Sequence, residues 1–348
     1  MFQKQITDKE AGQRFDKYLH KLLPEAGTGF LYKMLRKKNI TLNGKKADGS
    51  EKTAAGDSVE LFFSEETLQK FMGKAMPEKE HAFEEYEKAF QKLCAVKIIY
   101  ENDHILLADK PAGVLSQKAE KGDLSLNEWL IGYLLHSGFL KQQDVQMFKP
   151  SVCNRLDRNT SGIVLCAKSL KGAQLLGDLL QNRTLHKYYQ TFVKGQIREE
   201  QLIEGCLVKD EEYNKVFVRP LIQEEYHTDK GKQKNKKQKL NLTKESYIKT
   251  LYKPLQFYDD KTLLEVELLT GKPHQIRAHL ASIGHPLLGD YKYGDSDWNN
   301  RYQSLYGVKS QLLHAYKVEF PRLEKPFEDI SEKVFCAEIP EIFEHVKG

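Results

Sequence analysis

The chain has 348 residues, 40% of them hydrophobic and 30% charged, with a formal net charge of +5. This is the composition of an ordinary globular protein with room for one large core and a small module, and its mild positive charge permits a polyanionic partner without requiring one. Cys94, Cys153, Cys166, Cys206 and Cys336 are scattered, with no C-x-x-C pair, which argues against a disulfide framework or a zinc site; no apolar run approaches the length of a membrane span and the N-terminus lacks a signal-like apolar core, so the cytoplasm is the expected compartment.

Residues 1–63 read as a compact unit. Phe15, Leu19 and Leu22 repeat at helical spacing, and Pro24 follows to stop that helix. After Gly27-Thr28-Gly29, a second helix is expected from about Phe30 to Lys38, with Leu31 and Leu35 inward and Lys33, Arg36, Lys37 and Lys38 around the rest. Ile40-Thr41-Leu42 alternates like a strand, Asn43-Gly44 signals a tight turn, Lys45 and Lys46 follow it, and Val59 to Phe63 closes the unit as a strand. Two helices, a basic edge and a lysine-tipped hairpin make a phosphate-binding face; the plainer reading is a solvated charged surface. Residues 64–95 are rich in Glu and Lys and read as a charged linker, helical or partly flexible.

A second, larger domain is expected over 96–348. Val96–Asp103 and Ile105–Ala108 read as strands, followed by the Lys110-Pro111-Ala112-Gly113 turn, in which Pro111 fixes φ and Gly113 permits a conformation other residues avoid. That turn is read as structural, with no catalytic role for Lys110. Leu126–Leu135 is a helix with Ser125 as its N-cap. The polar loop Asn154–Gly162 precedes Ile163–Ala167, a short apolar run that reads as a buried strand, and it carries one carboxylate, Asp157, between Arg155 and Arg158. From the residues alone, Asp157 is either a nucleophile or base kept ionised by its arginine neighbours, or the side chain of an Asx turn.

Further on, Leu170, Ala173, Leu176 and Leu180 have helical spacing, and Lys187–Val193 alternates as a strand in which Tyr188 and Tyr189 must point to opposite faces. Residues 221–247 read as a lysine-rich insertion whose lysines, Lys230 to Lys239, either touch RNA backbone or only solubilise a loop. Leu264–Leu268 is a strand, and Thr270-Gly271-Lys272-Pro273-His274-Gln275-Ile276-Arg277-Ala278-His279 leads into a helix. His274 and His279 are five apart with no Glu between them, so a helical zinc pair is rejected and no metal is expected.

Arg155-Leu156-Asp157-x-x-Thr160-Ser161-Gly162 resembles the signature of the RluA-type RNA pseudouridine synthases, the group that contains the RluC and RluD enzymes. There the residue before the arginine is usually His; here it is Asn154, a departure that touches loop geometry. The Lys-Pro-x-Gly turn, Lys187-x-Tyr189, the Thr270–His279 block, Leu287-Leu288-Gly289-Asp290 and Leu313-His314-Ala315 resemble further blocks of the same family in the same order. The N-terminal element order resembles the alpha-L RNA-binding module.

The resemblance implies an α+β protein: a mixed, largely antiparallel central sheet flanked by helices and loops, preceded by a small α/β RNA-binding domain. It implies isomerisation of uridine to pseudouridine without a cofactor, in large-subunit ribosomal RNA or alternatively in transfer RNA, by a monomer. Asp157 is then the catalytic residue, Arg277 pairs with it, Tyr189 contacts the target base and Arg155 supports the site. Two rivals remain. A nucleosidase or glycosidase would want a second carboxylate, with Asp290 the candidate. A catalytically silent RNA-binding or ribosome-assembly protein would need neither Asp157 nor Arg277.

Overall fold

The computed structural model describes residues 1–72, 77–210, 215–220 and 247–347, in two compact units. The lysine-rich insertion lies outside the described residues but for Tyr247. One unit comprises 1–158 and 163–182, and the other 159–162 and 183–348. The chain therefore changes unit within the loop that carries Asp157.

The first unit begins with β1 (Phe2–Gln5), α1 (Phe15–Leu22), α2 (Thr28–Arg36), β2 (Ile40–Leu42), β3 (Lys45–Lys46) and β4 (Ser58–Leu61). The strands form a four-stranded antiparallel sheet in the order β1-β4-β2-β3. Phe15, Tyr18, Leu19 and Leu22 fall on one stripe of α1 and are buried with Leu31 and Leu35 of α2. Helix α2 starts two residues before the expected Phe30, at Thr28, with Gly27 as its N-cap. It stops at Arg36, and Lys38 takes a left-handed φ of 59° beyond its end. Asn43 and Gly44 both have positive φ, so the β2–β3 hairpin closes as a tight turn, with Leu42 opposite Lys45.

The charged stretch 64–95 is helical at α3 (Glu65–Met72) and α4 (Pro77–Lys92). Helix α4 packs on α5 (Leu126–His136) so closely that a Cβ at Gly132 would lie 2.2 Å from the carbonyl oxygen of Tyr86. Ser125 caps α5, accepting from the Asn127 N–H at 3.3 Å, and its hydroxyl donates to the Glu128 carboxylate three residues on. Strands β5 (Lys97–Glu101) and β6 (Ile105–Lys110) form an antiparallel pair, β7 (Ser151–Val152) pairs with β8 (Ser161–Ala167), and β8 lies beside β6. All seven residues of β8 are buried, as its apolar run requires. Helix α6 (Leu170–Asn182) ends the unit.

The second unit holds β9 (His186–Lys194), β10 (Gln201–Asp210), β11 (Lys215–Pro220), β12 (Tyr247–Phe257), β13 (Lys261–Leu268), β14 (Leu313–Glu319) and β15 (Val334–Cys336). They pair antiparallel in the order β11-β10-β12-β13-β9-β14, with β15 on β14. Ser161 and Gly162, which belong to this unit, pair in parallel with His314 and Ala315, so the sheet is mixed. Helices α7 (Gln275–Ser282), α8 (Ser296–Tyr306) and α9 (Glu341–His345) complete it. The α+β class, with a largely antiparallel sheet, helices and a small N-terminal sheet domain, is the one expected.

Candidate active site

The Asp157 loop is pinned on both sides of the carboxylate. Before it, Leu156 is buried, its N–H donates to Ser116 Oγ at 3.0 Å, and its carbonyl accepts from the same hydroxyl at 2.9 Å. After it, the Arg158 carbonyl accepts from the Gly113 N–H at 2.9 Å and from Lys110 Nζ at 3.1 Å. Asn154 Oδ1 accepts from the Leu165 N–H at 2.7 Å, so the position where the family carries His serves loop geometry here. Asp157 itself is half-buried and Arg155 is exposed. Of the flanking arginines, Arg158 donates from Nε to the Gly113 carbonyl at 3.1 Å.

Lys110 has no exposed surface, and its ammonium donates to the carbonyls of Pro111, Val114 and Arg158. Burial pulls its pKa down to about 7, against the opposing pull of Asp157 and then Asp109. Structural duty in the Lys-Pro-x-Gly turn is what the sequence suggested. The three carbonyl bonds give it a physical form: one buried lysine ties that turn to the Asp157 loop.

The loop leaves through Gly162, whose φ is +110°. A Cβ there would lie 2.2 Å from the Ala315 carbonyl oxygen, so only glycine fits. One residue earlier, Ser161 Oγ lies 2.8 Å from Nδ1 of the buried His314. These two contacts explain why the Thr-Ser-Gly and Leu-His-Ala blocks occur together.

In the second unit, Tyr189 is buried while Tyr188 is committed to the opposite face of β9. There Tyr188 donates to Glu319 at 3.2 Å and carries Lys317 Nζ 3.9 Å from its ring centroid. Helix α7 begins at Gln275, and His274 sits just ahead of it with a left-handed φ of 55°. The role of Gln275 escaped sequence reasoning. Its side chain accepts from Thr270 Oγ1 and the Lys272 N–H, and donates to the Lys249 carbonyl and Thr250 Oγ1. It thereby shapes the turn that leads to Arg277.

Arg277 is buried and grips Asp290 with Nε and Nη2. Asp290 Oδ1 also accepts from the N–H groups of Lys292 and Tyr293, at 2.9 and 3.1 Å. A carboxylate so engaged is an acceptor for a fixed cation and a tight turn, which removes it as the general acid of a glycosidase. His274 Nδ1 lies 2.7 Å from Tyr293 Oη, and the Arg277 guanidinium lies 5.2 Å from the Tyr293 ring centroid. His279 Nδ1 is instead 3.0 Å from Thr250 Oγ1, and burial lowers its pKa to about 4. The two histidines thus serve different partners.

The six basic residues of the N-terminal domain, Lys33, Arg36, Lys37, Lys38, Lys45 and Lys46, are all exposed. No helix among the described residues is long and apolar enough to cross a membrane.

Residues 104–282 match the family model described as RNA pseudouridylate synthase. The chain is 28% identical over 328 residues to ribosomal large subunit pseudouridine synthase C of Vibrio vulnificus, covering 93% of this chain and 90% of that protein. It is 27% identical over 316 residues to ribosomal large subunit pseudouridine synthase D of Nitrosomonas europaea, covering 90% and 78%. The fold is similar to that of human RNA pseudouridylate synthase domain containing 4, with a TM-score of 0.56 and 21% identity over 76% of this chain and 95% of that one. With the motif blocks on a mixed sheet of this kind and about half the chain matched by the family model, the protein belongs to the RNA pseudouridylate synthase family, within its RluA-type branch, and is an isomerase that makes pseudouridine in RNA.

Proposed function

We propose that the enzyme isomerises specific uridines of large-subunit ribosomal RNA, with Asp157 as its catalytic residue. The two similar synthases named above act, by their names, on the ribosomal large subunit. The observation that carries the assignment to Asp157 is the pinning of Leu156 and Arg158 on either side of it, which fixes a half-buried carboxylate on an otherwise polar loop. A site of this kind is rigid before substrate arrives.

In the reaction the bond between N1 of uracil and C1′ of ribose breaks, the base turns, and C5 bonds to C1′. The proton lost from C5 is balanced by one gained at N1, so no redox partner or cofactor enters. Asp157 acts on the ribose, either by attacking C1′ or by removing a sugar proton. In this reading Arg277 pairs with Asp157 and orients it, Arg155 adds positive charge beside it, and Tyr189 holds the base. The target uridine leaves its stack to reach this site, at a cost of a few kcal/mol. Residues 1–63 act as an alpha-L type RNA-binding domain through the exposed lysines and Arg36, and 96–348 form the catalytic domain.

Pseudouridine mapping by carbodiimide-induced reverse-transcription stops tests this. Ribosomal and transfer RNA from a strain lacking the gene are treated with enzyme. Sites should appear in large-subunit rRNA, and Asp157→Asn should abolish them while RNA binding survives. Sites confined to transfer RNA would overturn the substrate, and full activity in Asp157→Asn would overturn the residue.

A further inference from the structure

We propose that Lys187 is a phosphate-binding residue, gripping the RNA backbone on the face of β9 that carries Tyr189. The inference rests on the reading of this chain as an enzyme acting on RNA, and deepens it by assigning a backbone contact.

Lys187 and Tyr189 are two apart in a strand, so their side chains leave the sheet on the same side. Lys187 is half-buried, and opposite it on β14 is the buried Val318. Among the described residues, no carboxylate, carbonyl or hydroxyl accepts from its ammonium. Four other lysines that burial or the sheet withdraws from water have acceptors. Lys110 has backbone carbonyls, Lys168 has Glu101, Lys261 has the Tyr302 hydroxyl, and Lys317 has Glu319 and Glu265. The contrast holds within β9 itself. On its other face, His186 meets Glu267 at 2.6 Å and Tyr188 meets Glu319.

The charged group that acts on Lys187 is a second cation, Arg183, at the entry to the strand. Arg183 is exposed and held at a left-handed φ of 59°. Burial and this like charge both push the Lys187 pKa below the ordinary lysine value. A partly desolvated cation that feels a like charge is unfavourable without an anion to offset it. The Lys187 ammonium also lies 3.9 Å from where a Cβ of Gly271 would be, against the Thr270–Gly271 turn that leads into the Arg277 helix. With no side chain at Gly271, an RNA strand can come close to the ammonium there. The anion that the reaction brings to this face is a phosphodiester, and a lysine serves it as a point charge.

The test uses full-length enzyme and ribosomal RNA from a strain lacking the gene. In Lys187→Met, which keeps the apolar stem, RNA binding should weaken about tenfold and the slope of log affinity against log salt should fall by roughly one. Lys187→Arg should restore both. A second arm needs no variant: lysine acetylation of the wild-type protein, read by mass spectrometry, should modify Lys187, and saturating RNA should block it. An unchanged salt slope in folded Lys187→Met, or a loss of kcat at saturating RNA with binding unchanged, would overturn the proposal in favour of a structural or proton-transfer role. If Lys187→Met does not fold, equal acetylation with and without RNA overturns it. Wild-type enzyme that binds this RNA without forming pseudouridine would count against the substrate alone, because the salt slope is read from binding.

Discussion

Arg277 and Asp290 meet edge to edge, with Nε 2.7 Å from Oδ2 and Nη2 2.9 Å from Oδ1, and both side chains are buried. Removing one partner of such a pair strands the other charge away from water. Asp290→Ala should therefore cost about 3–5 kcal/mol of stability, whereas replacing both residues by apolar ones should cost much less. Thermal melts of Asp290→Ala and of the Arg277→Met, Asp290→Leu double variant measure this. The double variant should recover most of the melting temperature and make no pseudouridine. A single variant as stable as the parent would show that the pair contributes little.

Two glycines support the Asp157 loop and should respond differently to a methyl group. Gly162 combines a φ of +110° with backbone 2.2 Å from the new Cβ, so Gly162→Ala carries strain and a clash. A loss of about 3 kcal/mol or more is expected, with reduced turnover. Gly113 has a φ of +89° and nothing within 4 Å of a Cβ, so Gly113→Ala carries the backbone term alone, about 1 kcal/mol. Urea denaturation of the two variants gives the ordering, and equal losses would contradict it.

Acid should weaken the fold through two buried histidines. Burial lowers the pKa of His279 and of His314 to about 4, so both stay neutral in the folded protein well below the usual 6.5. The unfolded chain takes up these protons as pH falls through 6.5, and the folded chain does not until about 4. Stability is thus fully present above 6.5 and is lost as pH falls between those values, on the order of 2–3 kcal/mol per histidine by pH 4.5. His314→Gln should flatten the dependence of denaturation midpoint on pH over this window. A slope identical to that of the parent protein would rule His314 out as a contributor.

Tyr189 separates packing from chemistry. It is buried, so Tyr189→Ala should cost stability as well as turnover, about 3–5 kcal/mol for an emptied aromatic site. Tyr189→Phe keeps the ring and should hold the melting temperature with turnover within about tenfold, since stacking uses the π face. Tyr189→Leu keeps apolar bulk and should lose turnover far more than stability. Normal single-turnover rates in Tyr189→Leu would leave the residue with packing alone.

Much of the local structure was legible because its demands are written in residue type. Asn43-Gly44 takes the positive φ values its turn needs, Ser125 caps the helix it precedes, and the apolar run after Gly162 is a wholly buried strand. The start of α2 was less legible, because Thr28 and Gly29 read as a break and Gly27 served as the cap instead. Gln275 gave no signal, since a glutamine beside a helix start is ordinary until Thr270, Lys249 and Thr250 are seen around it.

The sequence alone determined the order of the motif blocks and the strand and helix that follow each, because periodicity, φ preference and charge belong to short segments. Only the tertiary structure decided which charges are spoken for. Asp290 looked available as a second acid until Arg277 and two backbone N–H groups were found on it. Ser161 and His314 are far apart in the chain and 2.8 Å apart in space, and Lys187 differs from its neighbours by what does not surround it. Such pairings act through space and are decided by how the sheet brings distant strands into register, which no local pattern encodes.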